Sequence, residues 1–285
     1  MALRKVLITV VGHVDHGKTT LLDRLRSSTV AEKEAGLITQ AIGASIIPRD
    51  ALQKTCGSLL ETFKIELKLP GILTIDTPGH AAFTNLRKRG GSLADIAIVV
   101  VDINEGFMPQ TVESIEILKA SKTPFIIAAN KIDLIPGWHE HPELPLLAHI
   151  NAQPSQSAQI FERKLYEMVG KLYEKFELSA DRFDRVSDYT NQIAIVPTAA
   201  KKGFGLPELL VVIIGLAQKY LEQSLKVNLD GPAKGTVLEV KEDKGLGKTL
   251  DVILYDGSLA LNDTIVIGGI DGPIITKIKA LFEPA

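Results

Sequence analysis

Cysteine is nearly absent from this sequence. Cys56 is the only cysteine among the 285 residues, so the chain can form neither an internal disulfide nor a cysteine-rich zinc site. Such sparing use of cysteine is typical of proteins that work in a reducing compartment. The composition therefore predicts a cytoplasmic protein.

Long hydrophobic runs and an excess of either charge are also missing. The most apolar stretch, Leu209–Ala217, has about half the roughly 20 residues of a membrane helix and predicts a buried amphipathic helix instead. The 32 basic residues nearly balance the 34 acidic ones, which excludes binding to nucleic acid driven by overall charge. An apolar share of 45% indicates a soluble globular protein with no membrane partner.

Short runs rich in Val and Ile alternate with helical patterns as far as residue 225. The predicted strands are Val6–Val11, Leu73–Asp76, Ile96–Asp102, Phe125–Asn130 and Ile193–Val196. The predicted helices include Thr19–Leu25, Ala81–Gly90, Gln110–Lys119 and Pro207–Leu221. Nearly continuous apolar strands between helices indicate a mainly parallel sheet covered on both faces. The sequence thus predicts a doubly wound α/β domain over residues 1–225, with its ligand at the carboxyl ends of the strands.

Two stretches interrupt this alternation. Ala31–Asp50 has little periodicity and predicts a long loop. Ile135–Pro154 is rich in proline and histidine and predicts a solvated loop, in which His139 and His141 suggest a metal pair only weakly. The next segment predicts a helix with one apolar face, formed by Ile160, Leu165, Met168, Val169, Leu172 and Phe176. Together these features predict an insertion over about residues 135–192.

The pattern changes after Leu225. The short strand-like runs Ala233–Glu242, Thr249–Leu254, Thr264–Ile267 and Ile274–Leu281 are separated by turn sequences. We therefore expect residues 226–285 to begin a second, antiparallel β-barrel domain. Because no closing element precedes Pro284 and Ala285, this barrel is expected to be truncated.

A phosphate-binding motif follows the first predicted strand. Residues 12–19 fit the pattern G-x-x-x-x-G-K-[ST] and open a predicted helix, which is the context that this motif requires. Its glycines and backbone N–H groups can surround phosphate oxygens, Lys18 can reach the β- and γ-phosphates, and the Thr19 hydroxyl can bind Mg²⁺. The residues predicted to contact nucleotide here are Val14, Asp15, His16, Gly17, Lys18, Thr19 and Thr20.

Two further motifs select the nucleotide. Asp76 ends a predicted strand and can hold Mg²⁺ through water, while the Gly79 amide can sense the γ-phosphate. The later sequence Asn130-Lys131-Ile132-Asp133 places a carboxylate where it can accept hydrogen bonds from guanine N1–H and its exocyclic amine. Adenine lacks that pair of donors and would leave the carboxylate unpaired. With Lys131 covering the base and Asn130 tying it to the phosphate loop, the motifs predict GTP and GDP binding.

The three motifs together resemble those of translational GTPases. They are most similar to the archaeal and eukaryotic initiation factors that promote ribosomal subunit joining, relatives of bacterial initiation factor two. The resemblance covers the whole G domain and continues into a second-domain barrel, and it places this sequence at the N-terminal end of such a factor. The resemblance implies a GTPase that is slow alone and is stimulated by the ribosome. It also implies a monomer that binds ribosomal subunits and, through domains absent here, initiator tRNA.

The resemblance also implies roles for individual residues. In such a factor Thr39, in the first switch loop, would close on Mg²⁺ in the GTP state, and His80 would orient the attacking water. Ala199-Ala200-Lys201 is similar to the family's last guanine loop, in which the amide of Ala200 would meet the guanine carbonyl oxygen. Asp15 matches an aspartate that can hold a monovalent cation beside the nucleotide.

Alternatives remain at the level of the sequence. The chain could deliver tRNA, as elongation factors and the initiator-tRNA carrier do, although Asp76–Phe83 disfavours this. A P-loop kinase is disfavoured by Asn130–Asp133, and His80 could have a purely structural role.

Overall fold

The computed structural model describes residues 2–30, 43–76, 94–243, 245 and 247–282. Its strands are β1 (Ala2–Leu3), β2 (Val6–Gly12), β3 (Gly43–Pro48), β4 (Gly71–Asp76), β5 (Ile96–Asp102), β6 (Phe125–Asn130), β7 (Ser179–Arg182), β8 (Gln192–Pro197), β9 (Lys226–Val227), β10 (Lys234–Asp243), β11 (Gly247–Asp256), β12 (Thr264–Gly268) and β13 (Pro273–Lys277). Its helices are α1 (Lys18–Val30), α2 (Arg49–Thr62), α3 (Pro109–Ala120), α4 (Leu146–Asn151), α5 (Ser155–Phe176), α6 (Leu206–Tyr220) and α7 (Glu222–Leu225), with a 3₁₀ turn at Ile132–Leu134.

The chain divides into two compact units. The described residues from Lys5 to Leu225 form the first, called here the sheet unit. The described residues before Lys5 and after Leu225 form the second, called here the hairpin unit.

A seven-stranded sheet organises the sheet unit, with strand order β3-β4-β2-β5-β6-β8-β7. All neighbouring strands run parallel except β3, which pairs antiparallel with β4. Every residue of β5 and β6 is buried, as expected for central strands covered on both faces. Around the sheet, α1 packs against β2 and α3 against β5, while α2 packs against α6 and buries Cys56. The predicted α/β fold with a mainly parallel sheet is confirmed.

The loop predicted over Ala31–Asp50 is wrong where the structure describes it. Residues 43–48 form the edge strand β3, whose Ile47 is buried beside Ile72 of β4. Gly43 and Pro48 are the first and last residues of this strand. Glycine and proline are tolerated at the ends of an edge strand. Residues 31–42 lie outside the described part of the chain, and so does the predicted helix Ala81–Gly90.

The solvated loop predicted over Ile135–Pro154 is found only in part: His139 is exposed and His141 is half-buried, but other residues of the segment are not solvated. Trp138 and His149 are both buried, at 9% and 0% exposure, and the segment contains the short helix α4. The following helix α5 has the predicted apolar face. Its buried residues are Ser157, Phe161, Leu165, Met168, Leu172 and Phe176, while Ile160 and Val169 are half-buried at its margin.

Strand β7 has no counterpart among the predicted strands. Its sequence, Ser-Ala-Asp-Arg, contains no apolar run, and it is held by parallel pairing with β8 at the edge of the sheet. Arg182 in this strand is buried and donates to the carboxylates of Asp184 and Glu162. This ion-pair cluster satisfies a guanidinium that would otherwise be costly to bury.

Three antiparallel pairs form the hairpin unit: β1 with β9, β10 with β11 and β12 with β13. Their antiparallel pairing is the arrangement expected at the beginning of an antiparallel barrel. The strand predicted over Ile274–Leu281 is shorter in the structure, where β13 ends at Lys277. Among the residues described in either unit, no helix has the length and apolar character needed to cross a membrane.

Candidate nucleotide-binding site

One edge of the sheet collects most of the predicted site residues. Strands β2, β4, β5, β6 and β8 run parallel, so their carboxyl ends meet at this edge. The phosphate loop follows β2, Asp76 is the last residue of β4, and Asn130 is the last residue of β6. The segment Ala199-Ala200-Lys201 follows β8 closely. This is the edge at which doubly wound sheets bind their ligands.

The phosphate loop, residues 12–17, leads directly into α1. The Lys18 ammonium donates to the carbonyl oxygens of Gly12 and His13, at 2.9 and 2.6 Å, and is thereby held at the loop. Val14 and Asp15 are exposed at the tip of the loop, and Thr19 and Thr20 are exposed in the first turn of α1. The N-terminus of α1 adds positive potential, so the arrangement suits an anion.

At Gly12 and Gly17 the backbone of the phosphate loop lies so close to neighbouring groups that a side chain would clash. Gly12 has a φ of +140°, and a Cβ there would lie 2.2 Å from the Val100 carbonyl oxygen of β5. Gly17 has a φ of +95°, and a Cβ there would lie 2.4 Å from Asn130 Nδ2. The two glycines of the motif therefore let the loop lie against β5 and against Asn130.

Asn130 connects the phosphate loop to the segment after β8. Its Nδ2 donates to the His16 carbonyl oxygen at 2.8 Å, and its Oδ1 accepts the Ala200 N–H at 2.9 Å. The Thr198 hydroxyl also donates to Oδ1, at 3.3 Å. A guanine carbonyl oxygen at this position would share the Ala200 donor with Asn130.

Lys131 immediately precedes the 3₁₀ turn Ile132–Leu134, and Asp133 lies within it. Lys131 has a φ of +64°, and its ammonium lies 2.9 Å from the carboxylate of Asp102, a nearly buried residue at the end of β5. This ion pair fixes the lysine, whose aliphatic stem is left to cover a base. Asp133 lies in the 3₁₀ turn and is half-buried, so its carboxylate remains accessible to a ligand.

The His16 side chain has a role that sequence reasoning missed. The buried imidazole accepts the Asp102 N–H at Nδ1, at 3.2 Å, and its Nε2 lies 3.2 Å from the Glu105 carboxylate. Because Nδ1 accepts, the proton lies on Nε2 and is donated to Glu105. Burial lowers the pKa of this imidazole, and the bond to Glu105 opposes the shift only in part. His16 thus joins the phosphate loop to β5.

Two other side chains at the site also escaped the sequence reasoning. Arg24, on α1, donates to the Lys201 carbonyl oxygen at 2.7 Å. Gln110, at the start of α3, accepts the Val14 N–H at 3.4 Å. Gln110 is a polar residue at the start of a predicted helix, and Arg24 is a polar residue within one; neither position alone predicts these contacts.

The remaining predicted residues belong to less completely described parts of the chain. Asp76 pairs through its backbone with Gly43 at the end of β4. Thr39, Gly79 and His80 lie outside the described residues. Their assigned roles remain predictions.

Comparison with known proteins shows what this chain is similar to. Residues 3–219 match the family model of the elongation factor Tu GTP binding domain. The chain is 58% identical over 282 residues to the probable translation initiation factor IF-2 of Thermococcus onnurineus, covering 99% of this chain and 47% of that protein. It is 54% identical over 283 residues to the protein of the same name from Methanopyrus kandleri, again covering 99% and 47%.

Solved structures give a similar result. The crystal structure of GDP-bound aIF5B from Aeropyrum pernix superposes with a TM-score of 0.88 at 53% identity, covering 98% of this chain and 46% of that one. A bacterial selenocysteine-specific elongation factor, EF-Sec, has a TM-score of 0.57 at 24% identity and shows the fold alone. The chain therefore spans just under half the length of these initiation-factor relatives.

Proposed function

Because the chain belongs to the elongation factor Tu GTP-binding domain family, we propose that it binds GTP and GDP and hydrolyses GTP as a switch in translation initiation. The observation that carries the proposal is the pair of bonds from Asn130, which join the phosphate loop to the Ala200 amide. These bonds hold the loop proposed to bind phosphate next to the segment proposed to contact the base. The names of the relatives at 53–58% identity support the assignment to initiation.

In the proposed reaction a water oxygen attacks the γ-phosphorus in line with the bond to the β-γ bridging oxygen. That bond breaks, and GDP and inorganic phosphate leave. Lys18 neutralises charge on the β- and γ-phosphates from its position at the phosphate loop. His80 orients the water, and Thr39 closes the site in the GTP state. The roles of His80 and Thr39 rest on the sequence resemblance.

The described edge of the sheet fits a Mg²⁺ ion. Thr19 is exposed in the first turn of α1, and Asp76 is the last residue of the neighbouring strand β4. Their side chains are of the hydroxyl and carboxylate types. Oxygen donors of this kind are the ligands that Mg²⁺ prefers. We infer that Thr19 and, through water, Asp76 hold the ion, with Thr39 joining in the GTP state. When bound, the metal supplies positive charge at the β- and γ-phosphate oxygens.

Further parts of the proposal concern the surroundings of the site. Asp15, exposed at the tip of the loop, is proposed to hold a monovalent cation beside the nucleotide. We further propose slow hydrolysis by the chain alone, stimulation by ribosomal subunits, and initiator tRNA binding through other domains of the whole factor. A monomer acting in the cytoplasm is the state that we expect.

Nucleotide selectivity provides the direct test. Purified protein should bind GDP and GTP but not ADP, and Asp133→Asn should weaken GDP binding and improve binding of xanthosine diphosphate. Xanthine offers a carbonyl where guanine offers an amine, so the amide of asparagine can then donate. An unchanged preference between the two nucleotides would refute the assignment of Asp133. Hydrolysis of GTP with and without ribosomes tests stimulation.

A further inference from the structure

A buried aromatic pair lies in the segment between β6 and α5. The rings of Trp138 and His149 are stacked, with centroids 5.7 Å apart and an interplanar angle of 27°. The indole Nε1–H donates to His149 Nε2 at 3.0 Å, and His149 Nδ1 lies 3.2 Å from the His141 carbonyl oxygen. Because an indole nitrogen can only donate, Nε2 accepts and Nδ1 carries the proton. Both ring nitrogens of His149 are thus used, which fixes the orientation of the ring.

His149 also contacts the turn that carries Ala199-Ala200-Lys201, the sequence similar to the family's last guanine loop. Its ring centroid lies 4.3 Å from that of Phe204. The Phe204 carbonyl oxygen accepts the Ala199 N–H at 3.1 Å, and the two residues form an isolated antiparallel bridge. Between them, the amides of Lys202 and Gly203 both donate to the Ala199 carbonyl oxygen, at 2.9 and 2.8 Å. The base of this turn, residues 199–204, therefore packs on His149.

A second connection holds the same two elements together. Glu208, in the first turn of α6, is 5% exposed and accepts the Leu146 N–H at 3.2 Å, where α4 begins. His149 lies in α4, and α6 begins two residues after Phe204. Both the turn and the helix that follows it are therefore anchored to α4.

We propose that His149 is a positioning residue for base recognition, acting through Phe204 on the turn 199–204. This inference rests on the proposed function, because it assumes that the backbone amide of Ala200 meets the 6-carbonyl of a bound guanine. His149, backed by Trp138, holds the turn in the conformation in which the Ala200 N–H donates to Asn130 Oδ1, where a base could share that donor, before the nucleotide arrives. Preorganisation of this kind raises affinity because no ordering of the turn remains to be done on binding.

The test compares three nucleotides that differ at the base edge. GDP and inosine diphosphate both have the 6-carbonyl, whereas 2-aminopurine riboside diphosphate lacks it. Phe204→Leu removes the ring that His149 contacts. His149→Gln removes the imidazole ring from that contact but keeps an oxygen that can accept the Trp138 N–H. We expect either variant to bind GDP and inosine diphosphate about tenfold more weakly, the scale of an aromatic contact and one hydrogen bond. Binding of the 2-aminopurine nucleotide should be unchanged.

Phe161→Leu is the matched control. Phe161 is fully buried in α5 and its ring lies 5.7 Å from that of Trp138, so this variant perturbs the same cluster away from Phe204. It should change the affinity for all three nucleotides by less than about twofold. The proposal would be overturned if Phe204→Leu and His149→Gln lowered the affinity for all three nucleotides equally. It would also be overturned if Phe161→Leu lowered the affinities as much as those two variants do, since only general packing would then be involved. If the wild-type protein binds no GDP, the proposed function fails and this inference fails with it, whereas normal wild-type binding with unaltered variants refutes His149 alone.

Discussion

The strands of the two units differ in how they bury apolar side chains. In the sheet unit, β5 and β6 are buried at every residue. In the hairpin unit every residue of β13 is exposed, and Val266 and Ile275 are 67% and 70% exposed. Both units are rich in Val and Ile, so composition does not cause the difference. A parallel strand between two helical layers has no solvent-facing side, whereas a hairpin has two open faces until something packs on them.

This difference concentrates stability and binding in the same unit. The described phosphate loop, Asn130 and the turn 199–204 all lie in the sheet unit, next to its most deeply buried strands. A rigid sheet can hold side chains from distant parts of the sequence at fixed separations, which a binding site requires. Substitutions in the sheet unit should therefore affect both stability and binding, and comparable substitutions in the hairpins should affect neither strongly.

Truncation of a central core residue should produce the largest effect. Ile127 is fully buried in β6, and Ile127→Ala should lower the free energy of unfolding by about 2–5 kcal/mol through lost burial and a residual cavity. Ile275→Ala, in β13, should change it by less than about 0.5 kcal/mol. Urea unfolding followed by Trp138 fluorescence and by circular dichroism measures both variants. Similar losses for the two would show that the hairpins carry a core of their own.

Replacing one glycine in each unit should affect nucleotide affinity in the sheet unit only. Gly17→Ala places a Cβ 2.4 Å from Asn130 Nδ2 at a φ of +95°, so it should weaken GDP binding by about a hundredfold, or about 2.7 kcal/mol. Gly268, at the end of β12, has no atom within 4 Å of an added Cβ, and Gly268→Ala should leave binding unchanged. Titration calorimetry with GDP gives both values. Full affinity in Gly17→Ala would mean that the loop does not need its contact with Asn130.

Acid should destabilise the sheet unit selectively. Burial lowers the pKa values of His16 and His149 below the ordinary value of about 6.5, so the folded state keeps both rings neutral where the unfolded chain takes up protons. The free energy of unfolding is therefore expected to fall as the pH drops below about 6.5. Burial raises the pKa of Glu208, which opposes this decline above about 4.5.

Unfolding monitored through Trp138 between pH 7.5 and about 5 measures this slope. A variant carrying His16→Gln and His149→Gln is the control and should lose most of the decline. Residues 226–285 contain no histidine, so their circular dichroism should not follow the same profile. A decline that persists undiminished in the double variant would assign the acid sensitivity to other groups.

Backbone strain should give the smallest effect, and it should not distinguish the units. Lys122 in the sheet unit and Asn262 in the hairpin unit have φ values of +54° and +72°, in the region that favours glycine. Lys122→Gly should raise the free energy of unfolding by about 0.5 kcal/mol, and Asn262→Gly by less, since asparagine tolerates this region better. Thermal melts of both variants provide the check. A loss of stability in Lys122→Gly would mean that its side chain contributes more than the strain costs.

The sequence predicted those features whose signal is local. Each central strand is a continuous apolar run, and the phosphate motif lies within eight consecutive residues, so both could be identified from the sequence. The resemblance to translational GTPases of the initiation-factor-two class is confirmed by the match over residues 3–219 and by the initiation-factor relatives. Strands β3 and β7 could not be found in this way, because they are edge strands defined by pairing with β4 and β8.

Side-chain roles that depend on distant contacts were also beyond sequence reasoning. His16 meets Asp102, 86 positions later, and His149 meets Phe204 across the insertion. The residues around a histidine in a proline-rich segment are the same whether its side chain is solvated or buried. Nothing in the neighbouring sequence therefore argued against a solvated loop. Only the fold supplies the partners that decide between the two.

The burial of Cys56 has a practical consequence for studying the two units. The thiol is fully buried in α2 and donates to the Leu52 carbonyl oxygen, and burial raises its pKa to about 11. At neutral pH only about one thiol in 10⁴ is then ionised, and it is shielded from reagents as well. Cysteines introduced at exposed positions such as Tyr173 and Val266 would therefore be the only sites that maleimide dyes label. A fluorophore on each unit would then report the distance between the units in solution as GDP is exchanged for GTP.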